Sequence, residues 1–371
     1  MAEKGEALTL PSDEVAKDAG KGTADSDKRR AVGDAARLAT PYLLFLGDCT
    51  EPGYAKTAFG LKDWAGDKCV GEYALPGATV TTGLAALTPS EASARGARAM
   101  VIGIANSGGR IARQWIPALE EALAAGLDVV SGMHSRLSDF PELREAAASS
   151  KGRLIDIRRP PAGLVVANGR KRSGKRLLTV GTDCALGKKY TALALAKAIS
   201  DADHPCDFRA TGQTGIMIAG GGIALDSVVS DFAAGAAEML SPDNEAGHWD
   251  VIEGQGSLYH PAYAGVSLAL LHGSQPDVFV VCHEPSRTHV LGHDGYPLPT
   301  IEDVVNLTVR LGRRTNPQIR CGGVSLNTAA LDPAAAAALC ESESKRLGMP
   351  VADPMRGGAH FMRLVENCVA P

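Results

Sequence analysis

The sequence predicts an α/β protein of two domains, each built on a mainly parallel sheet, and three observations carry that expectation. With 371 residues, the chain exceeds what one ordinary core organises. Short apolar runs alternate with stretches of helical spacing, as βαβ units require. The alternation breaks at Arg159-Pro160-Pro161 and resumes after the basic, glycine-containing segment 168–175, which places the boundary near residue 165.

Taken in order, residues 1–38 are polar, mix charges with small side chains and predict a mobile extension. The first domain, 39–165, opens with the apolar run 42–46, which ends in Gly47-Asp48. A second run at 99–104 leads into Asn106-Ser107-Gly108-Gly109, and 115–125 carries apolar positions at helical spacing. The runs 127–132 and 154–157 complete this series. In the second domain, 166–371, residues 176–180 read as strand and 190–199 as an Ala/Leu helix. Later strands are expected at 250–253, 277–283, 320–326 and 350–352.

Composition bounds the function. Hydrophobic residues make up 45% and charged residues 22%, the balance of a globular enzyme. Aromatics reach only 5%, so Ala, Leu, Val and Ile must build the core. A net charge of −4 gives no electrostatic footprint for nucleic acid. No apolar run approaches the roughly 20 residues that span a bilayer, and the N-terminus lacks the apolar core of a signal peptide. A soluble, cytoplasmic protein is expected, with its eight scattered cysteines as reduced thiols and no C-x-x-C pair among them. A homo-oligomer is expected for a metabolic enzyme of this size.

The strongest motif is Gly181-Thr182-Asp183-Cys184-Ala185-Leu186-Gly187-Lys188-Lys189, between the strand 177–180 and a helix. Glycines let backbone N–H groups converge, the helix N-terminus adds partial positive charge, and Lys188 adds a full one. This is a phosphate-binding P-loop with two departures. Five residues separate the glycines where the usual pattern has four, and Lys189 stands where an NTPase places the Ser or Thr that holds Mg²⁺. Thr182 or Thr191 would have to replace that hydroxyl. Two adjacent lysines suit a diphosphate held as an anion, without transfer of its phosphate.

The spacing and the Gly-Thr-Asp opening resemble the dethiobiotin synthetase branch of P-loop proteins. Glu253-Gly254-Gln255-Gly256-Ser257 is similar to that branch's strand end facing phosphates and substrate, and 323–327 to the strand whose Asn, here Asn327, meets a base. A fuller resemblance, from about Pro41 to the end, is to the DUF1611 family. Its motifs are Gly47-Asp48 with Lys56-Thr57, 103–109, Gly132-Met133-His134, the P-loop, Gly212-Gln213-Thr214-Gly215, 253–257 with His260-Pro261, and 283–287. The resemblance implies a Rossmann-like N-terminal domain and a P-loop NTPase-like C-terminal domain. Members include D-glutamate N-acetyltransferases, which use acetyl-CoA.

Acetyl transfer to an amine needs a base, an oxyanion donor and a receptor for carboxylates. Glu253 and His260 are the candidate bases; an acidic residue at Glu253's position equally suits magnesium or a loop cap. Gln213 and Thr214 offer amide and hydroxyl donors to an oxyanion or a carboxylate, or simply fill a glycine turn. Arg287 is a candidate carboxylate clamp or a surface ion pair, and Ser257 belongs to the substrate-facing strand end. Asn106 and Ser107 sit in a loop able to bind an anion through its N–H groups, or in a plain βα turn. The spacing of His283, His289 and His293 matches no metal motif, and no metal is expected. Three functions stay open: an acetyl-CoA-dependent N-acetyltransferase for a small acidic amino acid, an ATP- and Mg²⁺-dependent ligase or kinase of dethiobiotin synthetase type, and a nucleotide sensor without turnover.

Overall fold

The computed structural model describes residues 38–106 and 108–370; of the expected extension, all but Leu38 lies outside the described residues. The first sheet has five parallel strands in the order β2-β1-β3-β4-β5. In chain order its elements are β1 (Tyr42–Gly47), α1 (Lys56–Ala65), β2 (Cys69–Ala74), α2 (Pro89–Ala94), β3 (Ala99–Ile102), α3 (Ile116–Ala124), β4 (Asp128–Ser131), α4 (Pro141–Ala148) and β5 (Leu154–Asp156). β1, β3 and β4 are buried along their whole length, which is why they read as unbroken apolar runs.

β2 was not expected, because Gly71 and Glu72 interrupt its apolar pattern. Both have local reasons. A Cβ on Gly71 would lie 2.5 Å from the Ala85 carbonyl oxygen. The buried Glu72 carboxylate accepts from the Thr82 amide at 2.7 Å and from the Thr81 and Thr82 hydroxyls, so its charge is solvated by protein.

The second sheet has six parallel strands in the order β13-β12-β9-β6-β8-β7. Its elements are β6 (Lys175–Gly181), α5 (Lys188–Asp201), β7 (Cys206–Arg209), α6 (Gln213–Ala219), α7 (Ser230–Leu240), β8 (Trp249–Ile252), α8 (Ala264–Ser274), β9 (Val278–His283), the antiparallel ribbon β10 (His289–Val290) and β11 (His293–Pro297), α9 (Ile301–Gly312), β12 (Arg320–Leu326), α10 (Pro333–Leu347), β13 (Val351–Ala352) and α11 (Gly358–Val369). The chain leaves β6 for one edge, returns through β8, then crosses to β9 on the other side. The carboxyl end of β6 is therefore the switch point, where open α/β sheets bind ligands. No helix among the described residues is long and apolar enough to cross a membrane.

Helix α6 of the second domain packs into the core of the first. Ile216, Met217 and Ile218 of α6 are buried in the same cluster as Tyr42, Leu43 and Met100 of the first domain. Polar contacts fix the junction: Tyr42 donates to the Met217 carbonyl at 3.1 Å, Tyr190 to Asp63 at 2.9 Å, and the Thr57 and Thr214 hydroxyls meet at 3.0 Å. An apolar junction of this kind holds the domains in one relation. Thr57→Val leaves the Thr214 hydroxyl without its partner, and the expected cost is about 1 kcal/mol of unfolding free energy. Urea titration of the two proteins checks this; equal midpoints would show that the hydroxyl pair contributes nothing.

Candidate active site

The phosphate loop leaves β6 at Gly181 and enters α5 at Lys188. Gly187, the residue before the helix, has φ +104°, which only glycine adopts freely, and Ala185 sits in the left-handed region at φ +54°. Lys188 is buried, and its Nζ donates to the Asp183 carbonyl at 2.6 Å; burial pushes its ammonium down from the usual lysine range. Gly254 lets the end of β8 close on this loop. A Cβ there would lie 1.7 Å from the Thr179 carbonyl oxygen, while its N–H donates to the Thr179 hydroxyl at 2.9 Å.

Beneath the loop, Asp183 is fully buried. Its Oδ2 accepts from Arg287 Nη1 at 3.0 Å and from the Leu291 amide at 2.8 Å. Arg287 also donates to the Cys184 carbonyl at 2.8 Å and to Glu284 at 2.6 Å. The expectation of a substrate clamp at Arg287 is thus corrected, since its donors brace the phosphate loop. His260 is corrected for a related reason. Its Nδ1 accepts from the Ala262 and Tyr263 amides at 3.0 and 3.2 Å, which puts the proton on Nε2, 3.8 Å from Asp183 Oδ1. Neither nitrogen is free to take a substrate proton, and His260 does not line the cleft. Asp183, Cys184 and His260 bring ligand atoms within 4.8 Å of one another, but this tautomer points a proton at their centre instead of a lone pair.

Three further expectations meet local hydrogen bonds. The Ser257 hydroxyl accepts from the Tyr259 amide at 3.2 Å and closes a turn outside the cleft. Asn106 closes its own loop, accepting from the Arg110 amide and donating to the Arg110 carbonyl, both at 2.9 Å. Ser107 lies outside the described residues. The hydroxyls offered for magnesium are engaged with protein, Thr182 with His283 Nδ1 at 3.0 Å and Thr191 with Ser325 at 2.8 Å.

Above the loop a cleft of about 1080 Å³ runs between the domains. It is lined by Asn327, Asp353 and Met355, by the residues from Cys184 to Lys189, and by Glu253, Gln213 and Thr214 together with Lys56, His134 and Arg158 of the first domain. Asn327 lines the cleft, and its Oδ1 accepts from the Ala329 amide at 3.2 Å. Glu253 Oε2 accepts from the Thr211 and Gly212 amides, both at 3.0 Å, and Oε1 has no hydrogen-bond partner among the described residues. Burial pushes this carboxyl above the usual range, against the pull of the two amides and of Lys189.

Gln213 and Thr214 open α6 at the domain junction. Arg158 donates to Gln213 Oε1 and to Asp226, while its Nε donates to the Gly132 carbonyl at 2.7 Å. The Gln213 carbonyl oxygen is therefore committed, and its NH₂ remains a donor at the cleft wall. Lys56, His134 and Arg158 were assigned no role from sequence. Lys56 and His134 fall in motifs that the sequence does show, but only tertiary placement brings them into one cleft with Glu253.

The chain was compared with known proteins. Residues 165–364 match the P-loop domain described as DUF1611, a domain of unknown function, and residues 69–160 match the corresponding Rossmann-like N-terminal domain. A relative from a Pseudoalteromonas species named D-glutamate N-acetyltransferase is 48% identical, covering 87% of this chain and 97% of the relative. A protein of the same name from Tritonibacter scottomollicae is 46% identical, covering 90% and 99%. The crystal structure of a DUF1611 family protein from Anabaena variabilis matches with a TM-score of 0.77 at 32% identity, over 88% of this chain and 99% of that one. Two domains of the expected kinds, relatives matched along nearly their whole length and a solved structure of the same architecture agree: the chain belongs to the DUF1611 family.

Proposed function

We propose that this protein is an N-acetyltransferase that moves an acetyl group from acetyl-CoA to the amine of D-glutamate. The substrate follows from two relatives of that name, nearly half identical along almost the whole chain. The geometric observation that carries the chemistry is Glu253, a buried carboxylate that lines the cleft, with one oxygen held by two amides and the other without a hydrogen-bond partner among the described residues. In support of a CoA thioester as donor, the loop has the N–H groups, helix N-terminus and Lys188 that hold a diphosphate, with Lys189 in place of the magnesium-binding hydroxyl. The free thiols accord with a reducing compartment such as the cytoplasm, where acyl-CoA donors are made.

In this reading Glu253 Oε1 takes a proton from the substrate ammonium, and its raised pKa narrows the gap to that weak acid. The neutral amine attacks the thioester carbonyl, forming the C–N bond. The Gln213 NH₂ group is the donor available to the oxyanion. Collapse breaks the C–S bond and expels the CoA thiolate, which takes the proton from Glu253; the regenerated carboxylate then takes the second proton from the nitrogen, leaving the neutral amide, and releases it to solvent. Purified protein with acetyl-CoA and D-glutamate is expected to release one thiol per N-acetylglutamate formed. Absence of thiol release with D-glutamate and with every other amino acid tried would sink the reading.

A further inference from the structure

Two ammonium groups in the cleft have no ion-pair partner among the described residues. Lys56, the first residue of α1, and Lys189, the second of α5, both line the cleft with Glu253. Among the described residues neither has a carboxylate within 4.0 Å or a hydrogen-bond partner. Arg158, by contrast, is already paired with Asp226.

The path of Lys189 brings the two together. Its side chain arches away from the phosphate loop, with Nζ 5.0 Å from the Tyr190 ring centroid. It ends over α1, where a Cβ on Gly60 would lie 3.0 Å from Nζ. Gly60 is one helical turn beyond Lys56, so both residues share a face of α1. Lys189 is half-buried, and burial brings its ammonium down to about 8, with the more distant Glu253 and Asp63 opposing that and Lys56 adding repulsion. Two unpaired like charges converging in a partly dry cleft form a receptor for an anion, since an anion there relieves the repulsion and satisfies idle donors.

We propose that Lys56 and Lys189 bind the side-chain carboxylate of the acceptor, and so select an acidic amino acid over its amide. This inference rests on the acetyl-acceptor reading of the cleft. Lys188 and the loop amides meet the donor's phosphates, which leaves the α1 side of the cleft to the acceptor. With one acceptor carboxylate held there, its amine lies on the Glu253 side.

The probe is glutarate, a five-carbon dicarboxylate without an amine, titrated calorimetrically into the wild type, Lys189→Met and Lys56→Gln, with CoA titrated into the same three. Lys56 is exposed, so its variant keeps the fold if Lys189→Met loses it. The expected result is a fall in glutarate affinity of about 10-fold or more in each variant, with CoA affinity unchanged. The preference for D-glutamate over D-glutamine in kcat/KM is expected to fall by a similar factor. Glutarate affinity equal in all three, no glutarate binding to the wild type, or a matching loss of CoA affinity would each overturn the proposal. Glutarate binding that depends on both lysines, in a protein that releases no thiol with any amino acid, would reject the acetyltransferase reading and leave the anion site standing.

Discussion

Lys188→Met is expected to weaken CoA binding by about 100-fold or more, because it removes the one full positive charge buried in the phosphate loop. Lys188 is turned onto the Asp183 carbonyl and shielded from water by the loop and the end of β8. A diphosphate on the loop offers the same ammonium a charged acceptor, and the burial that now holds its pKa down makes that exchange more favourable. Methionine keeps the aliphatic stem that packs near Gly254 and removes only the charge. Equilibrium dialysis with CoA, beside thermal unfolding without ligand, separates binding from folding. Unchanged CoA affinity in a folded Lys188→Met protein would mean that the loop does not cradle the phosphates.

Glu253→Gln is expected to lower kcat by roughly 100- to 10,000-fold, the usual worth of a positioned base, while leaving CoA affinity nearly intact. Glutamine still offers one oxygen to the Thr211 and Gly212 amides, so the turn that holds the site survives. The pH dependence carries a sign. A carboxyl whose pKa burial has raised stays protonated to higher pH than an ordinary glutamate, and a protonated carboxyl is no base. The rate therefore rises with pH through a value above the usual glutamate range, and that limb disappears in Glu253→Gln. Glu253→Gln turning over at the wild-type rate would remove Glu253 from the chemistry.

Most strands legible in the sequence are buried on both faces, and the short edge strands β5 and β13 were legible as well. β1, β3, β4, β6, β8, β9 and β12 read as apolar runs because helices cover the sheet on either side. β2 and β7 were missed because polar positions break their apolar pattern, and the fold satisfies these locally, as the Thr81 and Thr82 donors do for Glu72. The phosphate loop was legible because all its parts are contiguous in sequence.

The rest of the site is assembled from distant segments, and there sequence distance misleads. His260 and Arg287 stand near the loop, as their motifs suggested, yet they face its underside. Which His260 nitrogen is free is decided by the Ala262 and Tyr263 amides, and whether Arg287 meets substrate is decided by Asp183. Lys189 followed Lys188 in the motif and was read as a second phosphate ligand. The next helical position turns about 100° away, and its side chain extends toward α1 of the other domain. Arg158 spans the junction to grip Gln213, a contact that needs both domains in place.

The central claim is that a P-loop here holds an acyl donor's phosphates and leaves them intact while the acyl group moves. One reaction followed by ³¹P and ¹³C NMR tests it, with wild-type protein, acetyl-CoA labelled in the acetyl carbonyl, D-glutamate, ATP and Mg²⁺ together. The label is expected to pass from thioester to amide while the phosphorus resonances of CoA and ATP keep their intensities. Conversion of ATP to ADP and phosphate that depends on D-glutamate, with the thioester untouched, would contradict it.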